Sequence, residues 1–393
     1  MTLQQVADGG TEMTMPKVPP SLPIENPDSE ASPEGEFGNR FQGIFDPNSP
    51  RLRLIAGDAS DRKFYRYREG DATYICMQFP SWSGGYGGDP LSWLGMHRVL
   101  LAWNLPVPKI VHVDEDNACI WTSDLGDEFL NRDLGSLPFD ASRNEHQVTF
   151  LRYREALELL IRAQYPPAAQ RDLPHPAQSR LFDEQKLLFE LNFFGEHFVK
   201  GLLSGEVSSS LLDEWTALAS EIAGLERVLC HRDYHARNLM VAEGRLHWID
   251  FQDARMGPHS YDVVSLLRDS YVRFDQATRE QLFNDYFDNV NAARSRAGLE
   301  PLTAAGFHRE RLMVGLQRNI KALGSFAYLH RVKRKKVYLS FVRHTLDVIL
   351  SESRASEVMV KYPKTLALVQ GLIDGPASRI FDAMITKEGL DQF

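Results

Sequence analysis

The chain has 393 residues, enough for two or three cores, and its 43% hydrophobic and 25% charged content is ordinary for a water-soluble globular protein. Its net charge of −9 argues against non-specific binding to nucleic acid, which needs a basic face to neutralise phosphates. Three well-separated cysteines (Cys76, Cys119, Cys230) exclude a disulfide framework or a zinc knuckle, no run approaches the roughly 18 apolar residues of a membrane span, and no signal-peptide pattern opens the chain, so a soluble cytoplasmic protein with no nucleic-acid or membrane partner is expected.

Residues 1–36 read as a disordered tail, with six prolines between Pro16 and Pro33 and few large apolar residues to bury. Phe37, Phe41 and Phe45 follow at helical spacing, as if to dock the tail onto the folded body. From residue 52, "RLRLIAG", "KFYRYR" and "TYICMQF" are short, rich in β-branched and aromatic residues, and separated by turn chemistry, which predicts an antiparallel meander. A helix is expected over 90–104, then two more strands in "VPKIVHVDED" and "ACIWTSDLGD". Residues 37–125 therefore form a small lobe. From residue 141 the apolar period changes to i, i+3, i+4, i+7, predicting a helical lobe over 126–393. Its later helices are expected at 260–272, 277–295, 304–331, 336–352 and 357–373. One hairpin interrupts them, "LMVAEGRLHWID" (239–250), with Glu243-Gly244 at the turn. The fold class is α+β in two lobes, with no internal repeats or coiled-coil heptads.

The hairpin directly follows "LCHRDYHARN", residues 229–238. A loop leading into a two-stranded hairpin returns Asp250, in "WIDFQDA", to the end that carries Asp233 and Asn238. Two carboxylates and an amide oxygen then converge. That supplies hard oxygen ligands for Mg²⁺ and one carboxylate left over to accept a proton, the set that kinase-type phosphoryl transfer requires. A solvated loop with accidental carboxylates would not need HRDxxxxN, a hairpin of this length and a hydrophobic-Asp-Phe triplet together.

These segments resemble the aminoglycoside phosphotransferase and choline kinase superfamily, whose fold is protein-kinase-like, from about residue 50 to the C-terminus. Within it, "GDASDRKFYRY", "LCHRDYHARNLMV…IDFQDARMGPHSYDVVSLLRD" and "GLQRNIKALGSFAYL" look most like the bacterial N-acetylmuramate/N-acetylglucosamine anomeric kinases of cell-wall recycling. The resemblance implies an ATP- and Mg²⁺-dependent kinase acting on the anomeric hydroxyl of an amino sugar. Asp233 is then the catalytic base, Asn238 and Asp250 are metal ligands, and His231, Arg232 and His235 brace the loop. Aminoglycosides, choline or homoserine are the alternative acceptors, and a nucleotide-binding pseudokinase is the alternative without chemistry. Oligomeric state is not legible.

The chain departs from the general kinase pattern in its first lobe. Met77 and Gln78 stand where a phosphate-binding Lys is expected, and the 90–104 helix has no Glu to pair with one. Arg62 or Lys63 is the expected substitute cation. The glycine-rich loop is reduced to "GDASDR", leaving Gly57, Ser60 and backbone N–H groups to hold phosphates. Thr122 and Asp124, at the end of the fifth strand, complete the expected nucleotide contacts. "SGGYGGD" (83–89) lacks a strand-GxxxxGK[ST] frame and reads as a surface loop. Asp262 reads as an N-cap or a loop anchor. Gln317, Arg318 and Lys321 share one helical face; an exposed polar face and a substrate-pocket wall both fit that spacing.

Overall fold

The computed structural model describes residues 41, 43–55, 62–82, 89–134, 138–353 and 357–387. The expected tail with Phe37, the phosphate-loop residues Gly57 and Ser60, and residues 83–88 lie outside that set. Phe45–Phe393 forms one compact unit, α+β and bilobal. Phe45 lies in a turn-rich stretch rather than a helix, its ring edge-on to Tyr65 at 5.6 Å.

The smaller lobe is a five-stranded antiparallel sheet made of β1 (Leu52–Ile55), β2 (Lys63–Glu69), β3 (Ala72–Gln78), β4 (Ile110–Asp114) and β5 (Cys119–Ser123), in the order β1-β2-β3-β5-β4. The first three strands are the expected meander. The last two are not, because β5 inserts between β3 and β4. Its first four residues, Cys119–Thr122, are all buried, so the most apolar strand takes a position paired on both edges. In β2, Tyr65 and Tyr67 turn inward while Arg66 between them and Arg68 face outward, the period-2 alternation of a half-buried strand. Helix α1 (Pro90–Ala102) connects β3 to β4. It starts at an Asp89 cap that accepts the Ser92 N–H at 2.6 Å and seals the sheet with Trp93, Met96, Val99 and Leu100.

The chain leaving β5 does not hang free between the lobes. Leu130 N–H donates to Leu239 O at 2.9 Å and Val241 N–H to Glu128 O at 2.8 Å, so the linker runs along the hairpin β7 (Leu239–Ala242)–β8 (Arg245–Trp248). Both residues of the hairpin turn, Glu243 and Gly244, have positive φ (52° and 77°), the two-residue turn whose twist matches the strands. A second pair, β6 (Arg227–Cys230) with β9 (Arg255–Pro258), brackets loop and hairpin. Sequence patterning shows neither strand, since four residues between polar neighbours carry no measurable period.

The helical lobe is built from α2 (Gln147–Gln164), α3 (Glu184–Phe194, continued by a π turn to Lys200), α4 (Ser209–Ala223), α5 (Ser260–Leu267), α6 (Gln276–Arg296), α7 (Ala304–Arg331), α8 (Val342–Ser353) and, in place of one helix over 357–373, α9 (Glu357–Lys361) and α10 (Pro363–Asp374), followed by α11 (Pro376–Lys387). Helix α5 stops five residues before its expected end. Asp269, just past that end, turns its carboxylate onto the Ala236 and Tyr271 N–H groups, both at 2.9 Å, which takes the backbone out of the helix. Helices α3 and α7 touch at Gly324, where a Cβ would stand 2.7 Å from Phe194 Cα and 2.9 Å from its N. Neither backbone atom can step aside. Gly324→Ala therefore destabilises the fold by about 1–3 kcal/mol, the usual cost of overpacking; urea unfolding measures it, and an unchanged midpoint would contradict the close approach. None of the described helices is long and apolar enough to cross a membrane.

Candidate active site

The loop between β6 and β7 is pinned from below by one buried carboxylate. Asp262, in the first turn of α5, accepts the His231 N–H at 2.5 Å and the Arg232 N–H at 3.1 Å. It is a loop anchor; the cap of its own helix is His259. Burial pushes its carboxyl up to about 7 against the pull of those two hydrogen bonds. The anchor holds Arg232 at φ 82°, a region a branched or bulky residue rarely enters. The His231 ring bonds Ile249 O through Nε2 at 2.9 Å, and because a carbonyl only accepts, Nε2 carries the proton. Burial lowers the pKa of this ring, keeping it neutral at pH 7. The loop is thus tied to the residue preceding Asp250.

His235 braces the loop differently from expectation. Its backbone does the work, with N–H to Asp233 O at 3.0 Å and O accepting from Asn238 N–H at 2.9 Å. Its ring lies edge-on to Tyr271, and Nδ1 is buried without a hydrogen bond.

Asn238 donates its amide Nδ2 to Asp233 O at 2.8 Å, which fixes the side-chain orientation and leaves its oxygen as an acceptor. Ile249 N–H bonds Asn238 O at 3.1 Å, closing the hairpin base and setting Asp250 beside Asn238. Asp250 has φ 62°, a conformation that Asp tolerates better than most residues. Its Oδ1 accepts from Gln252 Nε2 at 3.0 Å and from Arg62. Among the described residues no group of three or more His, Cys, Asp or Glu could hold a metal. A cation here would take one oxygen each from Asn238 and Asp250 and complete its shell with phosphate and water. That donor set is hard and sparse, and it fits Mg²⁺.

Asp233 Oδ1 is 2.8 Å from Lys321 Nζ, and its Oδ2 is 3.8 Å from Arg232 Nε. Burial alone would raise the Asp233 carboxyl, but these two cations outweigh it and hold the group well below the usual carboxylate range. With 30% of its side chain exposed, the carboxylate borders a small cavity (80 Å³) lined also by His235, Tyr271, Arg318, Lys321 and Phe326.

The face of α7 that carries Gln317, Arg318 and Lys321 is turned inward, so the exposed-face reading fails. Gln317 is fully buried and donates to Glu190 Oε2 at 3.1 Å; Arg318 donates to Ser265 Oγ at 2.8 Å. Of the two substitute cations, Arg62 is 8% exposed and reaches both Asp250 and Met77 Sδ (3.7 Å), whereas Lys63 is exposed on β2. Thr122 is buried in β5, and Asp124 is occupied by Arg66, Nε to Oδ2 at 2.6 Å. The site also contains residues the sequence reading passed over: Lys186, Glu190, Asp253 and Arg255. One signal for Glu190 was legible, because it stands with Leu187, Leu191 and Phe194 on the buried stripe of α3, where a solvated carboxylate does not belong.

The profile described as "Phosphotransferase enzyme family" matches residues 51–301. An N-acetylmuramate/N-acetylglucosamine kinase of Neisseria meningitidis is 29% identical over 323 residues, spanning 80% of this chain and 90% of the relative. One from Pseudomonas aeruginosa is 29% identical over 300 residues, spanning 75% and 81%. Among solved structures, a choline kinase from Streptococcus pneumoniae superposes with a TM-score of 0.51 at 13% identity, covering 81% of this chain and 99% of that one. An ethanolamine kinase from Plasmodium vivax gives 0.51 at 12%, covering 77% and 84%.

Proposed function

We propose, from the premise that the chain belongs to the phosphotransferase enzyme family and is a small-molecule kinase, that it phosphorylates the anomeric hydroxyl of an N-acetylated amino sugar, N-acetylmuramate or N-acetylglucosamine, at the expense of ATP in the cytoplasm. The observation that carries the reading is the junction of loop and hairpin, where Asp233, Asn238 and Asp250 share one end of a rigidly tied element. The names of the relatives over most of their length support the choice of acceptor.

Asp233 orients the acceptor hydroxyl and takes its proton as the new bond from sugar oxygen to the γ-phosphorus forms and the bond to the ADP oxygen breaks. Asn238 and Asp250 would hold Mg²⁺, which when bound would offset charge on the phosphate oxygens. Arg62 takes the part of the missing phosphate-binding Lys. Its guanidinium lies against Met77, on the strand where that Lys would stand, and beside Asp250, a position from which it would meet phosphates held at Asp250. This weakens the pseudokinase alternative, which rested on that missing charge. Lys321 and Arg318 border the acceptor side, while Gln317, fully buried, holds Glu190 from the same helical face; Thr122 and Asp124 lie on the nucleotide side.

An anomeric hydroxyl is more acidic than an ordinary sugar alcohol, because the ring oxygen withdraws electron density. A carboxylate whose proton affinity is already depressed is better matched to it. The expected result is ATP consumption with N-acetylglucosamine and none with its methyl glycoside or 1-deoxy analogue, giving a non-reducing, acid-labile sugar phosphate. A reducing, acid-stable product would refute the anomeric assignment and leave the kinase standing.

A further inference from the structure

A band of cations gathers around Arg232, whose Nε is 3.8 Å from Asp233 Oδ2, assembled from three separate stretches of chain. Strand β9 pairs with β6 in a register that sets Arg255 opposite Cys230, next to the loop. Arg180–Phe182 runs along the other edge of β9, with Met256 N–H to Arg180 O at 2.8 Å and Phe182 N–H to Met256 O at 2.9 Å, so Arg180 and Arg255 are neighbours. Helix α3 starts immediately afterwards and contributes Lys186, whose Nζ is 3.0 Å from Glu190 Oε1. Arg232 completes the band, Nη1 to Asp253 Oδ2 at 3.2 Å.

Positive charge is in surplus here. Arg180, Lys186, Arg232, Arg255 and Lys321 stand against Asp233, Asp253 and Glu190, and both oxygens of Glu190 are already engaged, by Lys186 and Gln317. The Arg255 guanidinium makes no hydrogen bond to the described residues, and its Nε is buried. Burial lowers the Lys186 ammonium, and the fields of Arg232 and Arg255 lower it further against Glu190; Arg255 is lowered by burial, then by Arg232 and Arg180. Arg232 is also held at a φ that a glycine would adopt without strain, so the position is kept for its side chain at a cost in backbone energy. Phe189, 58% exposed with Lys186 5.3 Å from its ring centre, gives an apolar face beside the cations. An unpartnered guanidinium, a cationic surplus around the residue adjoining the base, and an exposed aromatic beside Lys186 make a site for an anionic group on a ring-shaped acceptor.

We infer that Arg255 and Lys186, supported by Arg232 and Arg180, form an acceptor subsite that binds a carboxylate carried by the sugar, so that the acidic N-acetylmuramate is preferred to the neutral N-acetylglucosamine. The inference rests on the proposed sugar-kinase activity. The two sugars share the reacting hydroxyl and differ in the carboxylate-bearing ether, so the ratio of their kcat/KM values isolates the subsite from the chemistry.

The test measures kcat/KM for both sugars with saturating ATP and Mg²⁺ in the parent, Arg255→Met, Arg255→Lys and Lys186→Gln. The parent favours the acidic sugar. In Arg255→Met the ratio of acidic to neutral sugar falls at least about tenfold, the weight of one charge-assisted hydrogen bond, mainly through KM; Arg255→Lys recovers part of it. Should Arg255→Met fail to fold, Lys186→Gln carries the same expectation. Equal losses on both sugars would mean that the cations only brace the fold, and would overturn the subsite. A parent that phosphorylates the neutral sugar as well as or better than the acidic one overturns the subsite and leaves the kinase reading intact. A parent that turns over neither sugar but phosphorylates another alcohol refutes the proposed acceptor, and the subsite with it.

Discussion

Replacing Asp233 by Asn lowers kcat by about 10²–10⁴, the usual span of a general-base contribution, with nucleotide affinity and fold retained. The loop does not depend on the Asp233 carboxylate for its shape. Asp262 holds the His231 and Arg232 N–H groups, His231 holds Ile249, and the Asp233 backbone oxygen holds Asn238. An amide of the same size leaves each of these bonds in place and removes the proton acceptor alone. Lys321 then loses its ionic partner, a penalty that falls on free enzyme and complex alike. Turnover within threefold of the parent would show that Asp233 is not the base. The pH profile provides a second check. Burial opposes ionisation of Asp233, but Lys321 and Arg232 outweigh it, so the folded-state pKa lies below the ordinary carboxylate value. The group is therefore ionised at every pH above that value, and activity and the ion pair's share of stability are lost only as pH falls through the depressed pKa. Lys321→Met removes one of those cations and moves the acid limb of kcat/KM up; a limb near pH 6 in the parent, or one that did not rise in Lys321→Met, would contradict this assignment.

Asp250→Ala abolishes Mg²⁺-dependent turnover. The Asp250 carboxylate is the proposed partner of Asn238 in holding a cation, and without it the charge of the transferring phosphoryl group goes uncompensated. The variant also removes Asp250 from beside Arg62, so nucleotide without metal binds no worse than to the parent while the dependence of nucleotide binding on Mg²⁺ disappears. Calorimetric titration of ATP with and without Mg²⁺ separates this from unfolding. Normal activity of Asp250→Ala at low Mg²⁺ would refute the metal assignment.

The loop, the hairpin and the two-lobe order were legible in the sequence because each depends on local chemistry. Glu243-Gly244 between two apolar runs specifies a two-residue turn, a turn of fixed length returns Asp250 toward Asn238, and the switch of apolar period from 2 to 3.6 marks the passage from sheet to helices. Gln317, Arg318 and Lys321 were recognisable as one helical face for the same reason. Which way that face points was not, since a helix of 28 residues that is wrapped by neighbours buries polar and apolar residues alike. The tertiary fold decided it by bringing Glu190 of α3, Ser265 of α5 and Asp233 of the loop against that face. The same holds for β5 entering between β3 and β4, for the four-residue strands β6 and β9, and for Arg62 rather than Lys63 meeting Asp250. Neighbouring residues in extended chain point to opposite sides, and only the placement of the second lobe says which side meets Asp250. Residues up to 188 positions apart form these ion pairs. Short-range propensity carries no information at that separation, because the energy that selects such a pair is the cost of burying a charge without its partner, and that cost exists only once the chain has packed.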